Sequence, residues 1–342
     1  SDGNGNFFHS VPSGFKMLTQ DNMPETAKGI TGMSWTKDRD SGSYNHELYD
    51  SSRGAFQEIR PNATTVENTR PQALSKFLKG GFAVGDRTGM NSAGNRYVSW
   101  NWVANGGTTA SNGDGSISST VQANTTAGFS IVLYNGNSGS AGTIGHGLSA
   151  KPEWIIVKDR DASSYEWMSQ HKSFGATHYG SISSSDPFYD NDTIWNDTEP
   201  TSSVFSIGTN GSVNTGSNKY IAFCWHSVDG YSKFGSYEGN ASSDGRFVYT
   251  GFKPAWLMIK DADNTRNWIM IDNARDPFNP TDKGLSSSNA NAENTGNAID
   301  FLSNGFKFRS SSTSFNTSST YIYIAFAEHP FVGDGTSPVT AR

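Results

Sequence analysis

The chain has 342 residues, of which 34% are hydrophobic, 13% aromatic and 17% charged, with a formal net charge of -6. That length suits two or three domains, and the shortfall in apolar and charged residues is filled by Gly, Ser, Asn and Thr. The acidic balance without a Lys/Arg cluster argues against nucleic acid and anionic membranes as partners. No apolar run approaches the roughly 18 residues of a membrane span, and the single Cys224 leaves no internal disulfide.

The start, "SDGNGNFFHS", carries neither a signal pattern nor an initiator Met, which predicts a processed product or a piece of a longer one. "SGFKML" from Ser13 opens a first unit. An apolar strand follows at Met33 and ends in Lys37-Asp38-Arg39-Asp40, and a second strand lies around His46. "PQALSKFLKGG" from Pro71 places Ala73, Leu74, Phe77 and Leu78 at helical spacing with Gly80 at the stop, so a helix is expected there. "YVSWNW" from Tyr97 closes the unit, with Val98, Trp100 and Trp102 on one face. Residues 105–126 read as a low-complexity linker.

The same words then return twice. "GFSIVLYNGN" (Gly128 to Asn137) and "YSKFGSYEGN" (Tyr231 to Asn240) align as opening strands. "PEWIIVK" from Pro152 and "PAWLMIK" from Pro254 are apolar strands expected to be covered on both faces. Second strands surround Trp167 and Trp268, and "YIAFCW" from Tyr220 and "YIYIAFAE" from Tyr321 close the units. In the last, Ile324 and Phe326 keep the face while Glu328 stands for the expected Trp; "NAIDFLSNGF" is expected to make a short helical turn. Lys37, Lys158 and Lys260 lie 121 and 102 residues apart, too long for a solenoid repeat of roughly 20 to 50 residues but right for a small domain.

The expected architecture is therefore all-β: three tandem β-sandwich, jelly-roll-like domains of about 100 residues each. Their bounds are 1–104, 127–228 and 229–335, with the linker at 105–126 and a C-terminal tail at 336–342. The tight second junction predicts that copies two and three move together while the first is hinged.

No G-x-S-x-G elbow, H-E-x-x-H, Walker-type loop or Cys pair is present, and the seven His residues share no position common to the three copies. No enzyme, cofactor or metal site is expected. At the Lys-Asp segments a charged turn whose Asp side chains cap backbone N–H groups is favoured over a calcium or saccharide contact, because the basic residues would repel a cation. Trp residues shared between copies are assigned to packing. Trp195 is the exception, standing in "DPFYDNDTIWNDTEP" where the echoes "NATTVENT" and "NANAENT" place small or polar residues. With Tyr189, Asp192 and Asn196 it forms the candidate glycan-binding set, since sugars stack on rings and hydrogen-bond to planar polar groups. The competing reading makes Trp195 a lid on its own core.

The segments "NGGTTASNGDGSISSTVQANTTAGFSIVLYNGN", "GTIGHGLSAKPEWIIVKDRD" and "DGYSKFGSYEGNASSDGRFVYTGFKPAWLMIK" resemble a repeated domain of uncharacterised function in tail-fibre-like virion proteins of marine bacteriophages, over about Ile30 to Phe331. "GNFFHSVPSGFKML" resembles the end of a lectin-like, concanavalin-type module. The resemblance implies a virion context rather than a chemistry; joined to the candidate glycan-binding set, it leads to the expectation of a virion-surface, extracellular protein that adheres to host cell-surface glycans, contacts other virion proteins and forms a homo-oligomer such as a trimer. The alternatives are a purely structural decoration or filament protein and a polysaccharide-depolymerising spike.

Overall fold

Alternation decides the strands. In Trp154–Asp159 every residue is buried: Trp154 and Ile156 enter one hydrophobic cluster and Ile155 and Val157 another. Both faces of such a strand are covered, and this is why it reads as a continuous apolar run. The computed structural model describes residues 32–78, 81–104 and 109–328, and its regular secondary structure is almost entirely strand. The first opening strand, the lectin-like start and the tail lie outside the described residues.

Copy one contains β1 (Gly32–Asp38), β2 (Glu47–Asp50), β3 (Gln57–Glu58), β4 (Asn68–Thr69), β5 (Leu74–Leu78), β6 (Gly81–Val84), α1 (Thr88–Asn91) and β7 (Tyr97–Val103). Copy two contains β8 (Ala110–Asn112), β9 (Ser119–Asn124), β10 (Phe129–Asn135), β11 (Gly142–Gly145), β12 (Trp154–Asp159), β13 (Met168–His171), β14 (His178–Ser181), β15 (Tyr189–Asp190), α2 (Asp192–Trp195), β16 (Val204–Ile207) and β17 (Lys219–Trp225). Copy three contains β18 (Ser232–Glu238), β19 (Phe247–Tyr249), β20 (Pro254–Asp261), β21 (Ile269–Asp272), β22 (Gly284–Ser286), β23 (Ile299–Leu302), β24 (Gly305–Phe308) and β25 (Thr320–Ala327).

One antiparallel order recurs: β2-β1-β7, β13-β12-β17-β10 and β21-β20-β25-β18. The register is the same in each, with Asp38 opposite Tyr97, Asp159 opposite Tyr220 and Asp261 opposite Tyr321. Tyr321 is therefore the third closing tyrosine, and Phe326, not Glu328, replaces Trp102 and Trp225. A slip of two residues preserves face parity, so alternation alone does not reveal it. In copies two and three a small second sheet, β11-β16 or β19-β24-β23, covers one face of the main sheet and makes a sandwich.

The other face of each main sheet turns toward its siblings. One cluster holds Met33, Trp35, Trp100 and Trp102 together with Trp154, Phe223 and Trp225, and Trp256, Met258 and Phe326. Edge-to-face contacts join the copies, with Trp102 at 6.2 Å from Trp225 and 5.5 Å from Trp256. Such rings bury about 150 to 250 Å² each, so this shared core is a principal source of cohesion. The expected hinge at copy one is thus replaced by direct packing on both other copies.

Three other expectations change. Ala110 to Asn112 and Ser119 to Asn124, read as linker, are the last two strands at one end of the eight-stranded sheet, with Val121 opposite Val132. Small polar residues suit an edge whose backbone does the pairing. The predicted helix from Pro71 is instead the paired strands β5 and β6, with Phe77 opposite Phe82 and Leu78 opposite Gly81, and the expected stop at Gly80 lies outside the described residues. "NAIDFLSNGF" likewise forms the β23-β24 hairpin, with Leu302 opposite Gly305.

Candidate functional site

The segments shared by all three copies form one constellation at the end of the apolar strand. Asp38 Oδ1 accepts from the N–H groups of Asp40 (2.9 Å) and Ser41 (3.0 Å). Asp159 does the same for Asp161 and Ala162, and Asp261 for Asp263 and Asn264. This is the charged capping turn expected from the sequence. The second acid of each turn accepts from the N–H of the residue just before the closing tyrosine: Asp40 from Arg96, Asp161 from Lys219 and Asp263 from Thr320.

Each lysine is buried and donates back into its turn. Lys37 Nζ lies 2.6 Å from Asp38 O and 2.9 Å from Ser41 O, and Lys158 and Lys260 repeat the contacts. Burial pushes all three down to about 8 while the adjacent Asp opposes the shift. The ammonium group fills the carbonyl cage that a bound cation would need. Among the described residues no group of three or more His, Cys, Asp or Glu could hold a metal ion.

The glycan-binding set is not brought together around an open ring. Trp195 is 0% exposed and packs in the core of copy two with Phe205, Ile207 and Val213. Asn191 caps the short α2 that carries it, its Oδ1 accepting from Thr193 N at 2.9 Å, and Asn196 follows in left-handed conformation. Both faces of the indole are occupied by protein, so no sugar can stack there: the lid reading replaces the binding one. Asp192 and Asn196 are exposed, and Tyr189 is 46% exposed with its ring 6.1 Å from Tyr179.

The loop alignment also shifts. Glu67 N donates to Arg160 O, Glu293 N to Arg39 O and Phe188 N to Ala262 O, which makes Phe188 the counterpart of Glu67 and Glu293. Trp195 lies seven residues further on, where copy one buries Leu74 and copy three the flanking Ile299 and Phe301.

These bonds close a cycle. Copy one holds copy three through Arg39 and Glu293 (2.9 Å), copy two holds copy one through Arg160 and Glu67 (2.8 Å), and copy three holds copy two through Arg266 N and Ser185 O (2.8 Å). The ring before each second strand repeats the pattern: His46 Nε2 meets Ser286 O, Trp167 Nε1 donates to Arg60 O and Trp268 Nε1 to Ser181 O. Two junctions are ionic, Asp50-Arg53-Glu67-Arg160 and Asp272-Arg275-Glu293-Arg39. At the third the same positions hold His171, Phe174, Phe188 and Ala262, and the two phenylalanines stack at 5.1 Å.

A cluster in copy one was not anticipated from the sequence. Glu47 and Glu58 are both buried and share the guanidinium of Arg87, at 2.9 and 3.2 Å, while Tyr49 donates to Glu47 at 2.8 Å. Burial first, then Glu58, raises the Glu47 carboxyl above its ordinary range. The register places Glu47 where the other copies carry Met168 and Ile269, and that polar-for-apolar exchange was the available signal. Two carboxylates and a tyrosine suggest glycoside cleavage. Yet both acids are bridged by arginine and closed from solvent, so the group acts as an ionic core.

Fold and turns together define an all-β protein whose shared polar residues serve its own backbone. The chain belongs to the family described as a domain of unknown function, DUF7483, whose model matches residues 17–330 and so spans all three copies. No curated protein and no solved structure matches it.

Proposed function

We propose that the chain is a non-enzymatic structural protein of a bacteriophage particle, of tail-fibre or surface-fibre type, exposed at the virion surface outside the host cell. Its work is assembly through protein surfaces, with other virion proteins and further copies of itself as partners. The observation that carries this reading is that the lysine and both acids of each repeated Lys-Asp segment are spent on their own turn and on the adjoining start of the closing strand. The resemblance of its longest motifs to virion repeats supplies the context. Gold-conjugated antibodies raised against the chain should decorate intact particles; decoration of infected cells but never of particles would overturn the proposal.

Glycan adhesion is the second reading, favoured by Tyr189 standing open beside Tyr179, with Asp192 exposed three residues further on. A glycan array separates the two. The assembly reading expects no saturable binding, whereas a signal abolished by Tyr189→Ala would establish adhesion.

A further inference from the structure

We propose that copy three carries an open strand-addition site, formed by the outer edge of β18 and the rings of Phe247 and Tyr249 on β19, that takes an extended Ser/Thr-rich segment of a neighbouring polypeptide. The proposal rests on the structural-protein reading and names one of its contact surfaces.

The same site is filled in copy two by the chain itself. There β9 pairs along the outer edge of β10, with Val121 opposite Val132 and Ser119 opposite Tyr134. Just before it, Ile117 N donates to Thr143 O at 3.0 Å and Ser116 N to Thr143 Oγ1 at 2.9 Å, so the segment also runs along β11. The side chain of Asn112 occupies the space that a side chain on Gly145 would need. Residues 110–124 thus cover two adjoining strand edges at once.

Among the described residues, copy three has the equivalent edges without the cover. β18 corresponds to β10, because Ser232 pairs with Phe326 as Phe129 pairs with Trp225. β19 corresponds to β11, because Val248 pairs with Phe306 as Ile144 pairs with Phe205. Among the described residues β18 pairs only with β25 and β19 only with β24. The bonds Ala327 N to Tyr231 O and Gly239 N to Ser319 O fix the odd-numbered residues of β18 toward β25. The N–H groups of Ser236 and Glu238 therefore point outward. Ser227 and Val228 cover only the start of the edge, at Phe234 and Ser232.

Where Thr143 and Gly145 lie under the segment in copy two, copy three places Phe247, 45% exposed, and Tyr249, 64% exposed. An open edge is a template for another strand, and an incoming strand gains main-chain hydrogen bonds from the edge and specificity from side chains beside it. Tyrosine is among the residues that most often anchor such contacts. The chemistry of the occupant follows from the internal example: extended, with small or β-branched residues as in Ser119–Asn124, and nearly uncharged, since Asp114 is the only charged residue of residues 110–124.

The test adds a synthetic peptide of residues 109–126 to the intact chain and follows amide exchange residue by residue. At a concentration ten times its Kd, the peptide should slow exchange at Ser236 and Glu238 about tenfold. Ser236→Pro, which removes an outward N–H without breaking a bond to β25, should abolish the effect at an unchanged melting temperature. Phe247→Ser/Tyr249→Ser should weaken it. Unchanged exchange, amides already protected in the dilute monomer, or an edge that is instead buried when two copies of the chain associate would each overturn the proposal. None of these results would alter antibody labelling of particles, so the two proposals fail separately.

Discussion

Trp195 illustrates what a single residue's surroundings decide. Its loop reads as polar, yet the chain folds the indole inward over Ile207 and Phe205. Trp195→Ala is expected to cost about 3 to 5 kcal/mol of unfolding free energy in urea titration, where a surface sugar platform would lose almost nothing. A second residue-scale case is the exchange of volume across the central core. Copy one sets Trp35 against His46, their rings 5.9 Å apart, where the corresponding positions hold Ile156 and Trp167 in copy two and Met258 and Trp268 in copy three, all four in the same hydrophobic cluster. His46→Trp alone should overpack and destabilise by about 1 to 3 kcal/mol. Adding Trp35→Met should recover most of it, and a double-mutant cycle measures the coupling.

Histidine also sets the acid limit. Trp35 Nε1 donates to His46 Nδ1 at 2.9 Å, so that nitrogen must carry no proton. Burial, with Lys37 adding, pushes His46 down to about 3; burial likewise takes His171 to about 3 and His146 to about 4, from an ordinary 6.5. The unfolded chain takes up these protons first. Their contribution to stability is therefore complete above pH about 6.5 and is lost as pH falls through 4 toward 3, at up to about 1.4 kcal/mol per pH unit for each imidazole. Urea midpoints measured from pH 7 to pH 4 should fall accordingly, and His146→Gln should flatten the slope.

Among the elements, the junctions between copies are the informative comparison. Identical positions are filled by an Asp-Arg-Glu-Arg chain at two junctions and by His171, Phe174, Phe188 and Ala262 at the third. A buried ionic chain is costly to break but often replaceable as a whole by apolar residues. Arg53→Ala should cost about 3 to 5 kcal/mol because it leaves Asp50 buried without its partner. Moving the whole third set into the first junction (Asp50→His, Arg53→Phe, Glu67→Phe, Arg160→Ala) should cost far less than that single change. Urea titration of the two variants decides between replaceable packing and an indispensable charge network.

At the scale of the whole molecule, the cycle of contacts makes each copy depend on both others. Denaturation followed by tryptophan fluorescence and by far-UV circular dichroism should give one coincident transition. Separately folding tandem units would give steps. The shared core also explains why copy one persists with an ionic patch around Glu47 and Glu58 and only a small apolar cluster of Tyr49, Ala73, Leu74 and Met90. Its central face is covered by rings from its neighbours.

Much of this fold is written in the sequence itself. The Lys-Asp turns, the matching tryptophans and the two-sided burial of "PEWIIVK" and "PAWLMIK" follow from interactions within a few residues or from a period-two pattern, and the chain states both directly. What tertiary structure alone decided rests on contacts that no local pattern announces, some of them between residues more than ninety positions apart, as with Glu67 and Arg160. The pairing of residues 110–124 as strands, the inward turn of Trp195 and the closure of three copies on one another belong to that second group. Small polar residues carry no periodic mark when the backbone makes their contacts, and a compensating pair such as Phe174 and Phe188 looks like unrelated change until both sides of the contact are in view.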